Sequence, residues 1–141
     1  MSHSAIPAFD TTLQTTNTWI AELATRLDWQ HRHRAYIALR AVLHALRDRL
    51  CVDDVASFGA QLPMLVRGFF YERWHPGGKP TRERKLDQFL SHVSENLRMD
   101  GSIDARQVTH EVFGLLKKHL TKGEIHSLEA ALPGAYQELW Q

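Results

Sequence analysis

Nine histidines, one cysteine and a few neighbouring carboxylates are the residues of this chain best suited to chemistry. Glu72 and His75 stand at Glu-x-x-His spacing, the ligand pair of carboxylate-bridged di-metal bundles. Such a centre needs a second Glu-x-x-His and two further glutamates, and the sequence supplies neither. His110-Glu111 does not extend to His-Glu-x-x-His, because Gly114 holds the last position. His31 and His33 flank Arg32, so on a helix they diverge and sit among positive charges that repel a cation. Incomplete ligand sets lead to the expectation of no metal and no cofactor, with the histidines solvated at the surface.

Cys51 is the one candidate nucleophile of note. A helix start favours a thiolate, but Asp53 and Asp54 repel one, and no histidine is held close by the sequence. A small half-buried residue at a turn is the simpler reading, with the Asp pair marking a helix N-terminus. Ser-centred elbows, P-loops and Gly-x-Gly-x-x-Gly are absent. "HPGGKP" lacks the Ser or Thr that would follow Lys79 in a phosphate loop. No catalytic residue is assigned, and a non-enzymatic protein is expected.

The elements that would position these residues are helices, and they occur twice. At an offset of 70, Val42, Leu46, Leu50, Ser57, Ala60, Leu62 and Pro63 recur as Val112, Leu116, Leu120, Ser127, Ala130, Leu132 and Pro133 without a gap. Trp19, Ile20, Leu23 and Leu27 lie at helical spacing, and Phe89, Leu90, Val93 and Leu97 repeat the stripe. A longer helix carries Ile37, Leu39, Val42, Leu43, Leu46 and Leu50; its counterpart carries Val108, Val112, Phe113, Leu116 and Leu120, with Ser102 after the "DG" break as N-cap. Thr121 and Glu124 have capping-box spacing, where the other copy has Cys51 and Asp54. Each Leu-Pro ends one helix and begins another, since proline disfavours helix in the residue before it yet suits a first turn.

The expected fold is therefore all-α, a compact helical domain of two tandem repeats of about four helices. Its parts are an N-terminal tail at 1–9, repeat 1 at 10–74, a Pro/Gly linker at 75–80 and repeat 2 at 81–141, around one core.

At 141 residues the chain is long enough for that core without a disulfide or metal staple. Lys and Arg total 17 against 16 for Asp and Glu, so net charge does not steer a partner. A single cysteine and an N-terminus without signal-peptide character point to the cytoplasm. No apolar run reaches the length of a membrane span.

"TWIAELATRL", "RAYIALRAVLHALRDRL", "GAQLPMLVRGFFYERWHPGGKP" and "GEIHSLEAALPGAYQELW" together resemble the bacterial family of uncharacterised proteins labelled domain of unknown function 2267, from about Phe9 to Trp140. The resemblance implies an all-helical fold with an internal duplication, and it brings no established activity and no catalytic residue. Function rests on surfaces. Phe69, Phe70 and Tyr71 are consecutive and cannot share one helix face; at least one is expected to meet the other repeat or a docking partner. Phe70, Tyr71 and Trp74 are the candidate interaction surface. Lys79, Arg82, Arg84 and Lys85 are a candidate anion or nucleic-acid patch, weakened by the near-zero net charge. The expectation is a protein-interaction module whose partner is a second copy or another protein, serving bacterial stress adaptation. Nucleic-acid binding through residues 79–85 is the alternative.

Overall fold

Proline and acid set the first helix earlier than apolar spacing suggests. Pro7 occupies the first turn of α1 (Pro7–Leu27), where its fixed φ is already helical, and Asp10 lies in the same turn. The helix takes in residues 7–9 of the expected tail. In the computed structural model, which describes residues 5–98 and 102–141, six further α-helices follow: α2 (Arg32–Arg49), α3 (Val52–Gly59), α4 (Met64–Tyr71), α5 (Leu86–Leu97), α6 (Ala105–His119) and α7 (Lys122–Ala131). A 3-10 helix, Gly134–Trp140, ends the chain. The fold is all-helical, with no strand among the described residues.

The expected stripes are the core. Trp19, Ile20, Leu23 and Leu27 of α1 are buried, as are Phe89, Val93 and Leu97 of α5, while Leu90 is only partly so. α2 and α6 lie at the centre: α2 packs against α1, α4, α5 and α6, and α6 against α1, α5, α7 and the terminal 3-10 helix. Ala35, Ala38, Ala41 and Ala45 widen the buried face of α2, because small side chains let neighbouring helices approach.

Cap chemistry follows the sequence with one correction. Thr121 Oγ1 accepts from Glu124 N at 3.1 Å while Thr121 N donates to Glu124 Oε1 at 2.8 Å, the reciprocal box expected of that spacing. At the start of α3 Cys51 Sγ donates to Asp54 Oδ2 at 3.1 Å, so the pair exists but the thiol does not cap the helix. Cys51 is exposed rather than half-buried. Ser102 does not cap α6; Asp104 does, its Oδ1 accepting from Arg106 N at 3.0 Å and Gln107 N at 3.4 Å. A carboxylate at the helix start also complements the dipole, which a hydroxyl two residues earlier cannot do. Asp100 and Gly101 lie outside the described residues.

The residues before α3 and α7, and the two prolines of the Leu-Pro junctions, have similar backbone angles. Cys51 and Thr121 have φ/ψ of −68/163 and −70/160, and Pro63 and Pro133 have −56/151 and −57/145. Each proline stands just before a helix, α4 in one case and the terminal 3-10 helix in the other.

Candidate functional site

The three consecutive aromatics of α4 take three directions, all toward the N-terminal helices. Phe69 meets Tyr36 of α2 edge-on at 5.3 Å. Phe70 is fully buried, edge-on to Phe58 of α3 at 5.3 Å. Tyr71 is half-buried beside Phe70 and Trp74, and its hydroxyl reaches Val55 O at 3.4 Å. The tyrosine ring is why position 59 is glycine: a Cβ there would come within 2.5 Å of the Tyr71 hydroxyl. The expectation that one of the three reaches the other repeat is not met by any of these ring contacts. Phe70 leaves the candidate interaction surface, since a side chain with no exposed area offers no contact to a partner. Trp74 and Tyr71 keep only part of theirs.

The exposed apolar surface lies elsewhere. Ile6, Phe9 and Leu13 follow one face at the start of α1, and Met64 and Leu65 open α4; all five are between 42% and 52% exposed. Leu65 N donates to Thr12 Oγ1 at 3.0 Å, which holds the two helix starts side by side. Beyond them a groove of about 560 Å³ runs between α1, α2 and α4, with Ile20, Tyr36, Leu65 and Phe69 among its walls and Arg32, His33 and Glu72 on its polar side. Sequence reasoning missed this face because it assigned residues 1–9 to a tail; the Ile6-Phe9-Leu13 spacing after "IP" is the signal that marks it.

The segment carrying the candidate basic patch is tied down. Thr81 N donates to Asp48 O at 2.8 Å, and the buried Arg49 guanidinium donates to Thr81 O. Glu83 Oε1 accepts from His92 Nε2 at 3.2 Å. The Glu83 carboxyl is held below its ordinary range by its own backbone N–H and then by His92. With Thr81 and Glu83 turned inward, Arg82, Arg84 and Lys85 are exposed and Lys79 is half-buried.

Several histidines are structural rather than solvated. His44 is part-buried, and its Nε2–H donates to Phe69 O at 2.7 Å. Burial lowers its pKa against the raising effect of that carbonyl, with Arg47 and Arg40 nearby adding to the depression. His110 donates from Nδ1 to Leu139 O at 3.0 Å. His119 stacks on Trp19 at 4.7 Å and bonds Glu22 Oε2 at 2.7 Å, while Lys118 pairs with Glu22 Oε1 at 3.0 Å. These contacts join α1 to α6. Among the described residues no group of three or more His, Cys, Asp or Glu is placed to hold a metal ion.

Burial raises the Glu22 carboxyl, but the His119 and Lys118 hydrogen bonds outweigh it and the net shift is downward. A depressed carboxyl stabilises the fold above its unfolded pKa and loses that contribution as pH falls through the folded one. Glu22→Gln is therefore expected to cost about 1 kcal/mol or less at neutral pH, as a partly exposed pair does. The gap from the parent should close as pH drops below the ordinary carboxylate value of 4.5. Urea titrations across that range measure it.

Two polar clefts complete the surface. One, of about 440 Å³, is lined by Arg40, His44, Arg47, Asp48, Glu72, Arg73, Asn96 and Arg98. The other, of about 400 Å³, is lined by Arg26, His110, Gly114, Lys117, Lys118 and the last residues of the chain. Behind the first, Arg47 Nη1 donates to Phe70 O and Glu72 O at 2.8 and 2.9 Å; behind the second, Lys117 Nζ donates to Trp140 O at 2.7 Å.

The profile of a family described as an uncharacterized conserved protein, DUF2267, matches residues 16–139. The chain belongs to the DUF2267 family. Both clefts are lined almost wholly by family-matched residues, whereas Ile6, Phe9 and Leu13 precede the matched segment. No curated protein matches the chain. Among the described residues no helix is long and apolar enough to cross a membrane.

Proposed function

We propose that this DUF2267 chain is a non-enzymatic cytoplasmic module that acts by binding protein, a second copy or another chain, through the apolar end formed by α1 and α4. The observation that carries the reading is the gathering of Ile6, Phe9, Leu13, Met64 and Leu65 at two helix starts held together by one hydrogen bond. Single exposed apolar residues are ordinary, but a contiguous patch of large ones beside a groove marks a contact surface. Half-exposed Leu and Phe side chains each retain a sizeable share of the roughly 1.5–3 kcal/mol that full burial gains.

We propose also that the fold is an internal duplication at offset 70, with units at 10–74 and 81–141 and a linker at 75–80. Three observations support it. The junction angles agree as given above. Arg47 bonds Phe70 O, and its offset mate Lys117 bonds Trp140 O, the mate of Phe70. The crevice between α3 and α7 is lined by Asp54, Ser57, Phe58 and Gln61 together with Glu124, Ser127, Leu128 and Ala131, each facing set being the other displaced by 70. Such self-matching is the mark of a two-fold relation. The α1 patch breaks it, because the residues corresponding to the start of α1 fall in and after the linker. An apolar face that is not repeated at offset 70 suits a closed dimer or a single partner.

Light scattering and affinity capture test the reading, with Phe9→Glu and Leu13→Glu as paired variants. The parent is expected to associate. The variants should lose association while their stability stays within about 0.5 kcal/mol, as exposed sites do. A strict monomer that recovers no protein yet turns over a small molecule would replace this function with an enzymatic one.

Nucleic-acid binding is the second reading, favoured only by the outward set Arg82, Arg84 and Lys85 with Lys79. At salt of about 0.15 M, where charges beyond roughly 8 Å are screened, no appreciable complex with RNA or DNA is expected.

A further inference from the structure

We infer that the cleft between α2 and the C-terminal ends of α4 and α5 is a binding site for a small phosphate-bearing anion. Four arginines border it, Arg40, Arg47, Arg73 and Arg98, together with the carboxylates Asp48 and Glu72. They come from three elements far apart in sequence, so the convergence is a product of the fold.

Most of what would repel an anion here is already occupied. The carbonyls at the end of α4 present the negative end of a helix dipole, but Phe69 O accepts a hydrogen bond from His44 Nε2–H, and Phe70 O and Glu72 O accept from Arg47 Nη1. Asp48 accepts from Arg47 Nε at 3.1 Å. What remains facing the opening is Arg40, Arg73 and Arg98 against the exposed Glu72, whose flexible side chain also borders the neighbouring groove. Arg40 is pre-oriented: its Nη1 donates to Tyr36 Oη at 3.0 Å and its guanidinium lies 5.0 Å from that ring's centre. Arg73 and Arg98 pair with no carboxylate of the described residues. Both are non-glycine residues in the left-handed region, φ 62 and 52, at the ends of α4 and α5. At the place equivalent to Arg98, α1 ends on Asp28 in the same backbone conformation, φ 57. The backbone thus ends the helix in both copies, and the arginine is a choice of side chain.

The second cleft is the internal control. There Arg26 lies 3.7 Å from Glu111, Lys118 pairs with Glu22 and Lys117 is spent on Trp140 O. Arg26 and Lys118 of the second cleft thus have carboxylate partners, whereas Arg73 and Arg98 of the first have none among the described residues. Planar guanidinium groups match the oxygens of a phosphate in pairs, and about 440 Å³ suits a small molecule.

Calorimetric titration of the whole chain with inorganic pyrophosphate tests the site. Saturable binding to one site is expected. Arg73→Glu and Arg98→Glu should each weaken it about tenfold or more, the equivalent of one lost charge-assisted bond. Arg98→Asn, which suits the left-handed backbone, should weaken it without altering the fold's circular dichroism. Arg82→Glu, in the other basic segment, should leave it unchanged. Absence of saturation, equal loss in Arg82→Glu, or undiminished binding by the Arg73→Glu/Arg98→Glu double variant would overturn the assignment, as would binding of an RNA oligonucleotide but not of pyrophosphate.

Discussion

Phe70→Ala is expected to lower stability by about 3–5 kcal/mol, the range for deleting a buried phenyl ring. The ring has no exposed area, and it meets Phe58 at 5.3 Å and Tyr71 at 5.0 Å, both near edge-on. Its removal leaves a void walled by α3 and α4, both of only eight residues, and helices that short depend on packing for their existence. Against a total stability of about 5–15 kcal/mol the change is large enough to populate unfolded chains. Denaturant titration measures it. The same variant separates two roles for the aromatic cluster: a docking residue would lose association with the midpoint unchanged, while a core residue loses the midpoint itself. Trp74→Ala, at a half-buried position, is expected to fall well short of the Phe70 effect.

Arg47→Met is expected to cost about 2–5 kcal/mol, because it keeps the apolar stem and deletes the donors. Arg47 is 4% exposed, and its guanidinium satisfies Phe70 O and Glu72 O at the end of α4 while its Nε holds Asp48. Without it two carbonyls lose their protein partner, and each buried unsatisfied acceptor costs about 1–3 kcal/mol. Arg47→Lys should fall between, since an ammonium replaces a planar fork with one compact head. Position 117 shows that arrangement: among the described residues Lys117 donates to Trp140 O alone. Lys117→Met should accordingly cost less than Arg47→Met, being exposed and holding one carbonyl. Equal losses at the two positions would show that the α4 carbonyls find another donor when Arg47 is gone.

The residues that proved readable in advance are those whose role is decided within a turn or two of helix. Trp19, Ile20, Leu23 and Leu27, or Val112, Phe113 and Leu116, are buried because helical spacing places them on one face and that face must leave water. Thr121 and Glu124 form their box because the partners are three residues apart. α1 shows the limit of apolar spacing: its first two turns are set by Pro7 and Asp10, and their apolar residues stay exposed.

Tertiary structure decided whatever depends on a partner distant in sequence. Periodicity shows that Phe69, Phe70 and Tyr71 point three ways, yet only the placement of α2 and α3 around α4 sends Phe70 inward and leaves Tyr71 half-covered. Arg47 and Arg49 read as solvated charges on an amphipathic helix; they are buried because the carbonyls of Phe70, Glu72 and Thr81 are brought to them from beyond α3. The same holds for the arginine cleft, where Arg40, Arg73 and Arg98 lie on separate elements. A side chain's face is a local property of backbone geometry, but its partner is set by how helices pack, and charge is sensitive to that partner in a way that apolar burial is not.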